Sequence, residues 1–228
     1  MIFIAHKGLR NSLRWLIPLL LIPLTVWTGA ILLSPRQYWL VMLIVAVLSL
    51  VLFSTGFDQK KVGARRMVIV AILIALSVVG RLLPFFKPIT AITVIAALYL
   101  GSEVGFLVGA LSALLSNFLF GQGPWTPFQM LAWGMIGLLA GILRSPLLKS
   151  RLLLLAYGIL SGILYSLVMD LWVMLSAEGN AGWAVYLGTV IASLPHTLLY
   201  ALSNFVFLWF LAKPFGDKLT RIRVKYGI

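Results

Sequence analysis

The chain has 228 residues, no Cys, a formal net charge of +13 and an apolar fraction of 62% against 10% charged residues. The absence of Cys excludes disulfides, thiolate catalysis and Cys-ligated metals. The apolar excess leaves no polar stretch near the roughly 50 residues of a small domain, which excludes a separate soluble domain.

In chain order, strongly apolar segments fall at 15–33, 38–55, 67–83, 89–100, 104–120, 128–143, 152–175 and 183–212. Lys7, Arg10 and Arg14 precede the first, which contains Pro18 and Pro23. It begins like a signal peptide but is long and lacks a small-x-small cleavage site before Pro35, so it reads as a retained span. Lys60, Lys61, Arg65 and Arg66 follow the second segment; Arg144, Lys149 and Arg151 follow the sixth; Lys213, Lys218, Arg221, Arg223 and Lys225 follow the eighth. Fifteen of the 18 Lys and Arg thus fall in alternate gaps, leaving Arg36, Arg81 and Lys87 opposite. The positive-inside rule makes the crowded face cytoplasmic. The expected fold is an all-α integral membrane protein with eight transmembrane segments and both termini in the cytoplasm.

Segment 89–100 would cover only about 18 Å of a hydrocarbon core about 30 Å thick. Fusing it with the next segment would export the cations of the 144–151 loop and the tail. A turn at Gly101-Ser102-Glu103 is therefore expected. The positive charge needs no nucleic acid, since cations beside apolar spans attract anionic lipid headgroups as a matter of course.

The first two segments form a hairpin rich in Leu, Ile and Val. After a hinge at 56–63, small residues recur at four-residue spacing: Ala71/Ala75, Gly101/Gly105/Gly109, Gly137/Gly141 and Gly158/Gly162. That spacing lines helix faces that approach closely in lipid. The division is a peripheral hairpin with its basic hinge (1–63), a six-helix core (64–212) and a basic cytoplasmic tail (213–228).

Polar groups in the core are sparse. Asp170 lies toward the outer end of its span between Tyr165 and Trp172; a carboxylate there faces an interior cavity, a partner or interfacial water. Arg81, at the same end of the third span, is the expected countercharge. Asn117, Gln122 and Gln129 share that half. The loops at 84–88, 121–127 and 178–183 each combine Gly or Pro with an aromatic. Belts alone place aromatics at the interface, but Gly-Pro-Trp-Thr-Pro at 123–127 is rigid and cannot extend a helix. With Phe85, Phe86, Trp125 and Trp133, these loops are expected to roof an aromatic-lined pocket.

Catalytic and metal patterns are missing. There are two His, His6 and His196, and no HExxH, Gly-x-Ser-x-Gly, P-loop or Asp-x-x-Asp motif. Asp58, Glu103 and Asp217 lie near the cytoplasmic face, which leaves no carboxylate relay for ion coupling. His196, beside Pro195, reads as a packing or hydrogen-bonding residue at a helix break. Counted from the ends of their spans, Asp170 and His196 differ in depth, His196 lying roughly 20 Å in by helical rise, too far to share a reacting atom. Such a chain can bind but cannot energise uptake alone.

The run Ala64-Arg65-Arg66-Met67, then Ala71-Ile72-Leu73-Ile74-Ala75, a Pro/Phe loop, a short helix, Gly109-Ala110-Leu111 and finally Phe120-Gly121-Gln122-Gly123-Pro124-Trp125-Thr126-Pro127-Phe128-Gln129-Met130 resembles substrate-binding (S) components of energy-coupling-factor (ECF) vitamin transporters over about 64–212. The resemblance implies a multi-pass protein of a prokaryotic plasma membrane that binds a vitamin near its outer face. It needs no cofactor of its own. A transmembrane coupling subunit and two cytosolic ABC-type ATPases then drive release inside. Ala71 and Ala75 would dock on the coupling subunit, and loop 84–88 would act as a lid. The N-terminal hairpin departs from the six-helix pattern. The expected substrate-binding residues are Phe85, Phe86, Gln122, Trp125, Gln129, Trp133, Tyr165, Asp170 and Trp172. Overall likeness and the Gly/Pro-rich mouth lean to cobalamin or a related corrinoid. Another vitamin or precursor, a structural or assembly protein, and an intramembrane enzyme using Asp170 and His196 are the alternatives.

Overall fold

The computed structural model describes residues 6–56, 64–177 and 182–226, and within them the chain is helical with short turns. Helix α1 (Lys7–Leu16), a π-helical turn (Ile17–Leu21) and α2 (Ile22–Leu32) form one continuous rod. Pro18 and Pro23 lack the N–H that the regular ladder needs; Pro18 lies inside the widened turn and Pro23 just after it, at the start of α2. A 3-10 turn (Pro35–Gln37), held by a capping box between Ser34 and Gln37, reverses the chain into α3 (Tyr38–Thr55). Then follow α4 (Ala64–Gly80), α5 (Ile89–Leu100), α6 (Ser102–Phe120), α7 (Thr126–Ile142), α8 (Arg144–Lys149), α9 (Arg151–Ser176) and α10 (Trp183–Tyr226).

Five of these rods are long and apolar enough to cross a membrane: Lys7–Leu32, Tyr38–Thr55, Ser102–Phe120, Arg151–Ser176 and Trp183–Tyr226. Helices α5 and α7 are shorter and apolar. The chain is an all-helical membrane protein. The α5–α6 turn falls where expected, with Gly101 at φ 110°, a conformation a Cβ would strain.

Two expectations change. The 213–228 tail is no separate element up to Tyr226, because α10 runs on through Pro195 and Pro214. The hairpin is not peripheral in its packing: α3 lies on α6 and α7, and α2 touches α7 and α9. Ile17, Ile22, Val26, Val41, Val45 and Leu52 share one apolar cluster with Trp133, Ile136 and Tyr165 of the core. Arg14 of α1 pairs with the buried Glu103 of α6 and donates to the Ser102 hydroxyl at 3.4 Å. Residues 57–63 of the expected hinge and 178–181 of the third loop lie outside the described residues.

The small-residue spacing does what close packing in lipid requires. Gly109 lies against the Trp133 carbonyl and Gly137 against that of Gly105, so α6 and α7 meet backbone to backbone. Gly162 does the same against Ala201, and Gly158 takes Leu208, joining α9 to α10. Helix α5 sits among them with every residue but Tyr99 buried. Ala71 and Ala75 differ: both are exposed on α4, in one stripe with Met67, Val68, Ile72 and Val79.

Candidate functional site

At the end of the bundle away from the Arg14–Glu103 pair, five helices enclose a polar cluster. Asn117, near the last turn of α6, is its hub. Its Nδ2 donates to Thr126 Oγ1 and Gln129 Oε1, both at 2.8 Å, and its Oδ1 accepts from Arg81 Nη1 at 2.7 Å. The same guanidinium nitrogen donates to Ser116 Oγ at 2.5 Å. Gln129 Nε2 donates onward to the Tyr165 hydroxyl at 3.1 Å. A buried polar group is costly unless answered, and this network answers most of its members.

Arg81 is the exception in kind. It is 7% exposed, and among the described residues no carboxylate pairs with it. Its charge rests on neutral oxygens and on the faces of Phe120 and Trp133, whose ring centres lie 4.9 and 5.2 Å away.

Beside it stands a ladder of rings drawn from three helices. Trp133 of α7, 0% exposed, stacks on Tyr165 of α9 at 4.5 Å; Tyr165 stacks on Tyr200 of α10 at 4.9 Å; His196 tilts over Tyr200 at 4.7 Å. Trp133 Nε1 donates to Thr90 Oγ1 at 3.2 Å, tying the ladder to α5. The α4–α5 loop crosses nearby. Ser203 of α10 accepts from the Lys87 N–H at 2.8 Å and donates to the Lys87 carbonyl at 3.1 Å.

The structure gathers part of the expected set and disperses the rest. Gln129, Trp133 and Tyr165 form one group around Arg81. Gln122 borders it, accepting from Thr126 at 3.0 Å while its Nε2 holds the Leu114 carbonyl. Trp125 folds its ring over Gly123 and remains partly exposed. Phe85 is 74% exposed at φ 61°, a strained position for a non-glycine residue; Phe86 is half-buried. Trp172 pairs instead with Phe128 at 5.6 Å, and both line a separate cavity of about 500 Å³ between α7, α9 and the N-terminal hairpin.

Arg81 is not the countercharge of Asp170. The Asp170 carboxylate, 5% exposed, accepts from Ser193 Oγ of α10 at 2.9 Å. Ser193 precedes His196 by one helical turn, so Asp170 and His196 are close in depth rather than far apart. Counting from the ends of apolar segments fails because the end of α9 and the start of α10 are not level. Among the described residues no three His, Asp or Glu come together to hold a metal. Thr90, Ser116 and Tyr200 complete the cluster and carry no motif. Their only sequence signal is a polar group at helical spacing within an apolar run.

This cluster sets a buried cation beside stacked aromatic rings and bonded amides. A general acid, a nucleophile and a metal centre are not assembled in it. The model of one family, described as ECF transporter, substrate-specific component, matches residues 65–219. No curated protein and no solved structure gives a significant match.

Proposed function

The chain belongs to the substrate-specific components of ECF transporters, and on that premise we propose that it captures a vitamin in the Arg81 cluster from the outer side of the membrane. It is a transporter subunit and not an enzyme. The observation that carries the reading is Arg81: a buried cation whose partners are neutral, beside an aromatic ladder, has the chemistry of a site awaiting an electron-rich ligand. In this reading the protein spans the membrane eight times with both termini in the cytoplasm. Loop 84–88 covers the ligand, with Phe85 and Phe86 on it. Gln122, Trp125, Gln129, Trp133 and Tyr165 border it, and Asp170 and Trp172 stand at its margin.

A corrinoid such as cobalamin is the ligand we propose first. Its flat macrocycle suits the ring ladder, its fringe of amides suits Asn117 and Gln129, and its single phosphodiester suits one arginine. Delivery falls to a transmembrane coupling subunit and two cytosolic ATPases, with the coupling subunit seated on the exposed Ala71 and Ala75 of α4. Small residues there let a partner helix approach closely.

The test is the ligand itself. Protein purified in mild detergent should carry a small molecule identifiable by mass, and a corrinoid would give visible absorbance. A colourless preparation that binds a different vitamin sinks the corrinoid assignment alone. Failure to bind any vitamin in titration sinks the capture reading.

A further inference from the structure

At Lys213 the composition of α10 turns from apolar to basic, yet the helix continues to Tyr226. A segment needed only to hold positive charge beside the membrane could do so as a loose tail. This one is built in. Gly216 lies against the Tyr99 ring with no room for a side chain, Leu219 is 5% exposed, and Phe215 packs on both apolar clusters of the bundle. The Arg65 guanidinium lies over the Tyr226 ring at 4.8 Å. The extension is thus held across the end of α5 and finishes at the first turn of α4.

Its contacts use one face. The other exposes Lys213, Lys218, Arg221 and Lys225, against the single acid Asp217, while Arg223, one turn past Leu219, is exposed on the contact side. Arg223 also lies within electrostatic range of Arg66 on α4. A rigid array of cations therefore stands at the foot of the apolar stripe Met67, Val68, Ala71, Ile72 and Ala75. Like charges fixed together repel, and an apolar stripe alone gives a partner helix close packing with little to set its direction. A charged patch beside it supplies orientation and faster encounter.

We propose that the basic face of residues 213–226 is the second half of the docking surface, and that it takes an acidic cytoplasmic segment of the coupling subunit. This rests on the capture reading above. The apolar stripe packs the partner; the basic face sets its register. Lipid headgroups are the competing occupant, and the cations' nearness to the α4 stripe favours the protein.

The experiment compares the wild type with a variant carrying Lys218→Glu, Arg221→Glu and Lys225→Glu. Each is incorporated with its coupling subunit and two ATPases into neutral phosphatidylcholine nanodiscs, and association is titrated at several salt concentrations. The wild type should associate with an affinity that falls steeply with salt. The variant should associate at least tenfold more weakly with a flatter salt response, while binding vitamin alone as the wild type does. A second variant, Arg221→Lys with Lys225→Arg, should stay near wild type. Unchanged association of the Glu variant in neutral lipid, or a salt-independent wild type, overturns the proposal. A loss that appears only when anionic lipid is included assigns the face to headgroups and overturns it as well. A wild type that associates with no coupling module overturns the capture reading itself.

Discussion

Replacing Arg81 by Gln separates a ligand-binding arginine from a structural one. Its guanidinium donates to Ser116 at 2.5 Å and Asn117 at 2.7 Å and faces two aromatic rings. Losing those contacts costs about 1.5–3 kcal/mol for a hydrogen bond to a charged group, with about 0.5–2 kcal/mol for each cation–π contact. Removing a desolvated, unpaired charge returns several kcal/mol. The two nearly offset, so the melting temperature of Arg81→Gln should shift little. Binding should not be spared. If the vitamin sets an oxygen on the guanidinium, losing that charged contact costs about 1.5–3 kcal/mol, or about 10- to 150-fold in affinity. Arg81→Lys keeps the charge without the planar fork and should fall between. The assay is titration of each purified variant with the vitamin, paired with a thermal melt. Unchanged affinity in Arg81→Gln would refute the reasoning and place Arg81 outside the binding site.

Three further outcomes follow from other parts of the structure. Ala71→Trp and Ala75→Trp should each abolish uptake while leaving vitamin binding by the isolated protein intact; equal loss of both, or normal uptake, counts against docking there. Trp133→Ala removes a fully buried ring and should lower thermal stability, by about 3–5 kcal/mol for a core Trp, and weaken binding about tenfold or more. Trp133→Phe keeps an aromatic ring but loses the bond to Thr90 and part of the ring volume, and should bind within a few-fold; a full loss in that variant would make the indole itself the critical group. Deleting residues 1–56 leaves the buried Glu103 without Arg14, so the truncated core should bind vitamin but melt earlier, and Glu103→Gln in that shorter chain should recover part of the loss; a truncated core that melts like the full chain would show that the pair contributes nothing.

Much of the fold was readable because the membrane narrows the choices. Charge in alternate gaps and a Gly-Ser-Glu turn fixed the break at residue 101, and four-residue glycine spacing foretold the contacts of Gly109 and Gly137. The site was harder. Opposite sign suggested that Arg81 answers Asp170, but the rotation of each helix about its axis decides which side chains meet, and it turned Arg81 toward Asn117 and Asp170 toward Ser193. Tyr200 and Thr90 escaped because one Tyr or Thr in an apolar run reads as filler. The helical extension of α10 left a trace that basic composition hid: Ala212, Phe215, Gly216 and Leu219 recur at i, i+3, i+4 and i+7.

Helix α5 is short and enclosed by protein, and the loop before it leaves Phe85 exposed but reaches α10 at Lys87. From Trp183 to Ser203 α10 runs 20 residues, about 30 Å, before the Ser203 hydroxyl meets Lys87. Irregular backbone beside apolar helices is stable where protein answers its polar groups, and here the Ser203 hydroxyl answers two. In the proposed reading, a molecule leaving past the loop parts both bonds and leaves the buried Ser203 hydroxyl without its partners. At about 1–3 kcal/mol for each group left unsatisfied, the barrier rises by about 2–6 kcal/mol, which slows escape by a factor of tens to tens of thousands. On that reading the effect is one of time: slow escape gives a carrier that depends on meeting a partner an interval in which to meet it.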